Sequence, residues 1–361
     1  MNLESLLHEA VKQEASDLHL TVGVPPILRI NGELIRLDLP PLGVADTVKL
    51  FETVANEERR QQFLQNGEVD FSHTIFHLSR FRINAFKQRG SVAIAVRIIP
   101  EQIPTMEELR LPEVISSLAD KPRGLVLVTG STGSGKSTTM AAMIDLINSR
   151  RACNILTLED PIEYLHRHRK SLINQREVGS DTRTFASGLR AALREDPDVI
   201  LVGEMRDMET ISIAVRAAET GHLVLGTLHT SDAPQTVDRI IDVFPANQQQ
   251  QIRSQLSLTL QGIICQQLLI RQDRQGRVVA VEVLVVTPAV RNLIREGKNH
   301  QLLSVIQTGA KYGMQSMDVA LRDLCRDGII SDEEALMYAH DRENFLRLRG
   351  SPSKENYGKA I

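Results

Sequence analysis

One stretch of the chain, Gly130 to Ser137 (GSTGSGKS), constrains the fold more than any other feature. It fits the pattern G-x-x-x-x-G-K-[ST] at every fixed position, and it lies between the apolar run GLVLVT and a helical run over 138–148. The pattern needs this strand–loop–helix setting, because its glycines let backbone N–H groups approach phosphates at the positive end of the helix. The predicted phosphate-binding loop (P-loop) consists of Gly130, Ser131, Thr132, Gly133, Ser134, Gly135, Lys136, Ser137 and Thr138.

Two side chains of this loop supply the chemistry that ATP requires. The Lys136 ammonium would pair with the β- and γ-phosphates, and the Ser137 hydroxyl would be a ligand of Mg²⁺. The alternative is an ordinary Gly/Ser-rich surface loop, but such a loop needs neither a buried strand before it nor a helix directly after it. The sequence therefore predicts a P-loop ATPase with ATP and Mg²⁺ as cofactors.

The segments around the loop predict an α/β domain over residues 114–347. Short continuous apolar runs alternate with helical segments, and such runs are typical of a parallel sheet covered on both faces. These runs lie at 125–129, 154–158, 199–202 and 223–228.

The first hundred residues have a different pattern, which predicts a separate small α+β domain over 1–100. An amphipathic helix begins at Leu3, and two hairpins follow, the first around Asn31-Gly32 and the second over 80–99. The proline-rich stretch 101–113 predicts a linker, and the polar tail 348–361 predicts disorder.

Composition limits the classes of partner. The chain has 361 residues and a formal net charge of −3, so its overall charge gives no reason to expect a nucleic-acid partner. Three scattered cysteines provide neither a zinc site nor a disulfide framework. The longest apolar run, interrupted by Glu282, is too short to cross a bilayer. We therefore expect a cytoplasmic protein without direct membrane insertion, which would reach a membrane machine only through protein partners.

Carboxylates follow two of the predicted strands. Glu204 comes directly after the apolar run 199–203, which has the form of a Walker B strand, and it would hold the Mg²⁺ shell or polarise water. Asp160 and Glu163 follow the run 156–158, at the edge where ligands bind in open α/β sheets. The alternative role is stabilisation of a helix dipole, and it applies best to Asp160.

Two histidines, His222 and His229, bracket the strand LVLGTL. They lie roughly 23 Å apart along an extended strand, so they cannot both contact one γ-phosphate in a single subunit. His229 is at the carboxyl end, where an imidazole would sense that phosphate, whereas we interpret His222 as structural.

Arg97 interrupts the apolar strand VAIAVRII, which suggests a buried arginine that needs a partner. Arg80 and Arg82 share one face of the preceding strand. One hypothesis is that these arginines reach the nucleotide of another subunit, as arginine fingers do. The alternative is a salt-bridged sheet surface.

Taken together, these motifs resemble the type II/IV secretion ATPase superfamily, and within it the retraction ATPases of type IV pili. The resemblance covers about residues 1–345. It rests on ASDLHL (15–20), RFRINAF (80–86), GSTGSGKSTT (130–139), ILTLEDPIEYLH (155–166), NQREV (174–178), ALREDPDVILVGEMRD (192–207), GHLVLGTLHT (221–230) and AVRNLIRE (289–296). Ser131 stands where the family often has proline, and Val290 where it usually has isoleucine.

The resemblance implies a PAS-like N-terminal domain, a RecA-like ATPase domain and a homohexameric ring at the inner-membrane base of a pilus. ATP hydrolysis would turn an inner-membrane platform protein and return pilin to the membrane, with a paralogous retraction ATPase as a further partner. It also implies Glu163 as the water-activating carboxylate, Glu204 as the Walker B acid and His229 as a γ-phosphate contact. Arg82 and Arg97 would act near the subunit interface. Which of the two glutamates is the general base stays open.

Several alternatives stay open at this stage. An extension or type II secretion ATPase of the same superfamily generally carries a four-cysteine zinc element, which this sequence lacks. An accessory retraction ATPase is closer, although GEMRD and AVRNLIRE fit it less well. A non-enzymatic, nucleotide-gated scaffold belongs to another class and predicts that Glu204→Gln changes nothing.

Overall fold

The computed structural model of the chain describes residues 2–30, 32–75, 78–99, 102–274 and 276–349. Asn31 of the predicted first turn and residues 350–361 of the predicted tail lie outside the described residues. The chain divides into two compact units, one made of Met1–Gln102 with Glu163–Leu165 and the other of Ile103–Ile162 with His166–Ile361.

The elements of the first unit are α1 (Leu3–Lys12), β1 (Asp17–Leu20), β2 (Ile27–Ile30), β3 (Glu33–Arg36), α2 (Val44–Val54), α3 (Glu57–Asn66), β4 (Glu68–Ile75), β5 (Ser79–Gln88) and β6 (Ser91–Ile99). Those of the second are α4 (Glu113–Ala119), β7 (Gly124–Thr129), α5 (Lys136–Arg150), β8 (Asn154–Glu159), β9 (Leu172–Glu177), α6 (Phe185–Ala192), β10 (Val199–Val202), α7 (Met208–Glu219), β11 (Leu223–Leu228), α8 (Ala233–Asp242), α9 (Ala246–Thr259), β12 (Leu260–Ile270), β13 (Arg277–Val285), α10 (Pro288–Glu296), α11 (Leu302–Thr308), α12 (Met317–Arg326), α13 (Asp332–Tyr338) and α14 (Arg342–Arg349). Two 3₁₀ helices, Asn299–Gln301 and Ala310–Tyr312, flank α11.

The first unit is built on an antiparallel sheet with the strand order β3-β2-β1-β6-β5-β4. Strand β5 shows how the sequence sets the two faces. Phe81, Ile83 and Ala85 are buried in the core, and Arg80 and Arg82 alternate with them on the other face. The alternation of side chains along β5 therefore places Arg80 and Arg82 on the outer face of this sheet.

The second unit is built on a sheet with the order β13-β12-β7-β11-β10-β8-β9, in which the β12–β13 pair is antiparallel and the other neighbouring pairs are parallel. Each residue of β7, β10 and β11 is buried. Leu125 and Leu127 belong to one hydrophobic core, and Val126 and Val128 to another, so the sheet is covered on both faces. The predicted α/β class is confirmed: the second unit is built around a largely parallel sheet.

Two features differ from the sequence pattern. Strand β9 (LINQRE) was not among the predicted strands, because an edge strand with half-exposed polar residues shows no continuous apolar run. Residues 103–113, expected as linker, are grouped with the second unit, and Met106 and Leu111 are buried in its core. Proline restricts the backbone of this stretch without keeping its neighbours out of a core. Among the described residues, no helix combines the length and the apolar character that a membrane span requires.

Candidate nucleotide site

The P-loop runs between β7 and α5 and approaches the neighbouring strand β12 closely. Gly130 has φ +144°, and a Cβ atom added to it would lie 2.4 Å from the Gln266 carbonyl oxygen. Gly133 and Gly135 also have positive φ values, of +78° and +90°. Glycine is thus required at these turns for its backbone conformation, and at Gly130 also for space.

The start of α5 has the features of an anion site. Helix α5 begins at Lys136, directly after Gly135, which has no side chain to cap the first turn. Its first backbone N–H groups are oriented along the helix axis toward the loop, where phosphate oxygens are favourable partners. The Lys136 Nζ donates to the carbonyl oxygens of Gly130 and Ser131 at 3.0 and 2.9 Å. A phosphate would form stronger, charge-assisted bonds with this ammonium than neutral carbonyls do.

Gln266 on β12, which the sequence patterns did not single out, supports the same turn. Its Nε2 donates to Thr139 Oγ1 at 2.8 Å, and both side chains are buried. Ser137 and Thr138 are half-buried on the first turn of α5, and the Ser134 side chain is buried inside the loop. The neighbouring strand β12 therefore supports the loop, while Lys136 and Ser137 stay partly accessible.

The structure brings Glu204 and His229 together. Strands β10 and β11 are neighbours in parallel register, so the residues that follow them meet at one edge of the sheet. The Nε2 of His229 lies 2.9 Å from Glu204 Oε1, and the Arg206 guanidinium donates to the same carboxylate. The Glu204 side chain is 18% exposed, so this group is partly shielded and still reachable from solvent.

The loop that carries Glu204 is tied to β11 by two further contacts. Thr227 Oγ1 donates to the Gly203 carbonyl oxygen, and the Met205 N–H donates to the Thr227 carbonyl oxygen at 3.0 Å. Both bonds fix the backbone on either side of Glu204. They hold the carboxylate at the end of β10 independently of its own ion pairs.

Glu163 lies in the loop after β8 and is exposed. The residue before it, Ile162, is buried and donates its N–H to Glu177 Oε2 at 3.0 Å. Glu177 ends β9 and is itself buried, so it anchors this loop. Glu159 accepts from Thr157 Oγ1 at 2.6 Å and from Gln175 Nε2 at 3.1 Å. Gln175 and Glu177 lie in the segment NQREV (174–178), to which the sequence analysis gave no structural role because β9 was not predicted as a strand.

The two histidines that bracket β11 have different surroundings. His222 Nδ1 forms a hydrogen bond of 2.9 Å with the Ala217 carbonyl oxygen at the end of α7. This contact fits the structural role expected for His222. His229, at the other end of the strand, contacts Glu204 instead, as described above.

The arginines of the first unit are paired with carboxylates of neighbouring strands. Arg82 and Arg97 are opposite each other on β5 and β6. Arg82 donates to Asp70 at 3.0 Å from Nε and 2.6 Å from Nη2, and Arg97 Nε donates to Asp17 at 3.1 Å. The expectation that Arg97 is buried was wrong: its side chain is 68% exposed, because strand alternation turns Val96 into the core and Arg97 outward.

The chain is similar to proteins of known family. The profile described as "Type II/IV secretion system protein" matches residues 1–337. The type IV pilus retractation ATPase PilT of Pseudomonas aeruginosa is 51% identical over 345 residues, which are 96% of this chain and 100% of that protein. A twitching motility protein of Neisseria gonorrhoeae is 49% identical over 94% of this chain and 91% of its own length. A crystal structure of the pilus retraction motor PilT with bound ADP matches with a TM-score of 0.90 at 51% identity, over 96% of this chain and 99% of that one.

Proposed function

Since this chain belongs to the type II/IV secretion system protein family, we propose that it is an ATP-hydrolysing motor that powers the retraction of type IV pili. The observation that carries the proposal is similarity over nearly the whole chain to a pilus retraction ATPase, together with the site geometry. The P-loop, Glu204 and His229 lie at the carboxyl ends of the adjacent strands β7, β10 and β11. We call this edge of the second sheet the carboxyl edge.

Nucleotide binding follows from the P-loop. The phosphates of ATP replace the carbonyl oxygens of the loop as hydrogen-bond partners of Lys136. The backbone N–H groups at the start of α5 donate hydrogen bonds to the phosphate oxygens. Among the described residues, no cluster of three or more His, Cys, Asp or Glu side chains would bind a metal by itself. The donors present fit Mg²⁺ held jointly with nucleotide, since Mg²⁺ keeps waters and takes few protein ligands besides phosphate oxygens. Ser137 and Glu204 would be those protein ligands, Glu204 directly or through water.

Hydrolysis requires a carboxylate that activates water and groups that stabilise charge on the γ-phosphate. Glu163 and Glu204 are the two candidates for the general base, and the Mg²⁺ ion, when bound, neutralises developing phosphate charge. His229 senses the γ-phosphate from its position beside Glu204. Arg82 and Arg97 leave Asp70 and Asp17 to reach the nucleotide of a neighbouring subunit.

The working assembly is a homohexameric ring at the cytoplasmic face of the inner membrane, at the base of the pilus. There it acts on the inner-membrane platform protein, together with a paralogous retraction ATPase. The pairs of Arg82 with Asp70 and of Arg97 with Asp17 are accessible to solvent, and a group from a neighbouring subunit that displaces these carboxylates would have to bring negative charge of its own, as a nucleotide phosphate does.

The decisive experiment is complementation of a strain that lacks its own retraction ATPase, combined with steady-state ATPase measurements against protein concentration. We expect restored twitching, and turnover per subunit that rises cooperatively as the protein assembles. Lys136→Ala is the negative control, and Lys170→Ala, an exposed lysine away from the P-loop, is the matched surface control. Turnover that is independent of concentration, or piliation without twitching, would refute retraction by a ring with shared sites.

A further inference from the structure

A buried carboxyl group on β13, Glu282, is not part of the site described above. Its side chain is fully buried within the strand RVVAVEVLV. Burial raises the pKa of Glu282 above its ordinary value, and the N–H groups of Ala233 and Met317 act in the opposite direction because they favour the carboxylate. A polar group at such a position is unfavourable unless it satisfies other buried polar groups.

Glu282 satisfies the start of helix α8. Its Oε1 accepts the N–H of Ala233 at 3.1 Å, and Ala233 is the first residue of α8. The first N–H groups of a helix have no partner within the helix, and Ala233 is fully buried, away from water. An apolar residue in place of Glu282 would therefore leave this N–H without a partner, at a cost comparable to a lost buried hydrogen bond.

The same carboxyl group faces the start of a second helix. Helix α12 begins at Met317, and Gln315 before it pairs with Val283, the neighbour of Glu282 on β13. The Val283 N–H donates to the Gln315 carbonyl oxygen at 2.8 Å. Glu282 thus lies where two helices begin, and the positive ends of their dipoles favour a negative or hydrogen-bond-accepting group at this point.

Helix α8 is the element that follows His229. Strand β11 ends at Leu228 and α8 begins at Ala233, so the connection consists of residues 229–232. Asp232 caps the helix by accepting from Gln235 N at 2.8 Å, and Thr230 Oγ1 lies 2.7 Å from Thr236 Oγ1. Only three residues separate Ala233 from His229, so the position of Ala233 limits where the backbone of His229 can lie.

We propose that Glu282 is a positioning residue for ATP hydrolysis: its carboxyl group holds the first turn of α8 and, through the connection 229–232, keeps His229 against Glu204. This inference rests on the proposed function and on the role of His229 within it. Glu282 acts through Ala233, whose N–H it accepts.

The first test compares two substitutions of the same residue. Glu282→Leu removes the acceptor, and we expect kcat for ATP to fall by about ten- to a hundred-fold, since small misplacements of catalytic groups have effects of this size. KM for ATP should change by less than about twofold, because Lys136 and α5 are untouched. Glu282→Gln keeps an acceptor oxygen and should restore kcat to within about threefold of the wild-type value. Unchanged kcat in Glu282→Leu overturns the proposal.

A double-substitution cycle with His229 separates positioning from general destabilisation. If Glu282 acts through His229, adding Glu282→Leu to His229→Ala should lower kcat by less than about twofold more. Effects that multiply overturn the proposal. Asp318→Leu is the matched control, because Asp318 is also a buried carboxylate that accepts a backbone N–H, from His340 at 2.8 Å. It should destabilise the fold without lowering kcat, and an equal loss of kcat would show that Glu282 has no specific role.

A second variant tests the proposal if Glu282→Leu does not fold, and a measurement without turnover tests it if the wild type does not hydrolyse ATP. Ala233→Pro removes the donor at a helix position that favours proline, after Asp232 with an extended backbone (φ −145°, ψ 169°). It should reproduce the kcat loss of Glu282→Leu. Hydrogen exchange of the amides of residues 229–233 and 235–237 reports on positioning without turnover. If the wild type hydrolyses no ATP, the proposed function fails, whereas protection lost in Glu282→Leu and kept in Asp318→Leu still supports positioning. Unchanged protection in Glu282→Leu overturns it.

Discussion

The arginines on the outer face of the first sheet and the polar groups of the carboxyl edge differ in the partners that they already have. We call the first surface, with Arg82, Arg97 and their partners Asp70 and Asp17, the arginine face. There each guanidinium forms an ion pair with a carboxylate on a neighbouring strand. At the carboxyl edge Lys136 donates to two neutral backbone carbonyl oxygens, those of Gly130 and Ser131.

This difference determines what each surface can do in a single subunit. A phosphate competes well against carbonyl oxygens for an ammonium, so the carboxyl edge is prepared for nucleotide. A phosphate must displace a carboxylate to reach Arg82 or Arg97. Because one anion then replaces another, this exchange gains less free energy than the replacement of neutral carbonyl oxygens at Lys136. The arginine face therefore suits a step in which the positions of subunits, and not affinity alone, decide which anion is bound.

The largest effect should come from Lys136→Ala, which removes the cation of the carboxyl edge. Loss of this charge weakens both nucleotide binding and stabilisation of the transferred phosphoryl group, so kcat/KM should fall by at least about a hundred-fold. Steady-state ATPase activity and titration with a fluorescent ADP analogue measure the two effects. Retained affinity together with retained turnover would show that the loop does not bind phosphate.

Glu204→Gln should have the next largest effect, and on turnover only. The P-loop contacts are intact in this variant, so ATP binding should persist, while kcat falls by about 10² to 10⁴ if Glu204 activates water. Glu163→Gln, measured in parallel, identifies the general base as the residue with the larger loss. Glu195→Gln, which alters a carboxylate ion-paired with Arg176, is the control. A Glu204→Gln protein that hydrolyses ATP at the wild-type rate would exclude Glu204 as the general base, whereas a wild-type protein that binds ATP without turnover would favour a nucleotide-gated scaffold.

Arg97→Ala should lower the free energy of unfolding only slightly, but it should strongly reduce the turnover of the assembled protein. Its pair with Asp17 is largely exposed on the arginine side, so the free energy of unfolding should fall by less than about 1 kcal/mol. Turnover of the assembled protein should nevertheless collapse, because the neighbouring nucleotide loses its arginine. Light scattering verifies that the oligomer persists.

Asp17→Asn is the complementary variant, since it releases Arg97 without removing it. We expect turnover at or above the wild-type level. If Arg97→Ala hydrolyses ATP normally in the oligomer, the arginine face is a salt-bridged surface and each carboxyl edge works by itself.

The comparison also explains which features the sequence could predict. The P-loop is contiguous, and Glu204 and His229 each follow an apolar run whose end lies at the carboxyl edge, so local patterns were sufficient. The error at Arg97 arose because a run of apolar letters hid the alternation between faces: Arg97 shares its face with the half-buried Ala95, whereas Val96 between them is buried.

The residues that support the site from neighbouring elements could not be predicted from the sequence, for a different reason. Gln266 bonds to Thr139 from 127 positions away, and Glu282 bonds to Ala233 from 49 positions away. Glu177 ends a strand whose polar composition resembles a loop. Such contacts depend on the strand order of the sheet, in which β12 lies beside β7 although their sequences are distant.

The last prediction concerns His166, in the loop between β8 and β9, where acid should change stability without any change in the residues proposed for catalysis. Burial lowers the pKa of His166 to about 4, and the neighbouring Arg169 contributes in the same direction. An unfolded histidine has a pKa near 6.5, so between the two values the unfolded chain binds more protons. The free energy of unfolding should therefore fall as the pH decreases from about 6.5 to 4, by up to about 3 kcal/mol. Urea unfolding at several pH values measures this slope.

His166→Phe should flatten this dependence of stability on pH, while His8→Phe, at an exposed position of α1, should not. Equal slopes in wild type and His166→Phe would show that this histidine is not held neutral by the fold.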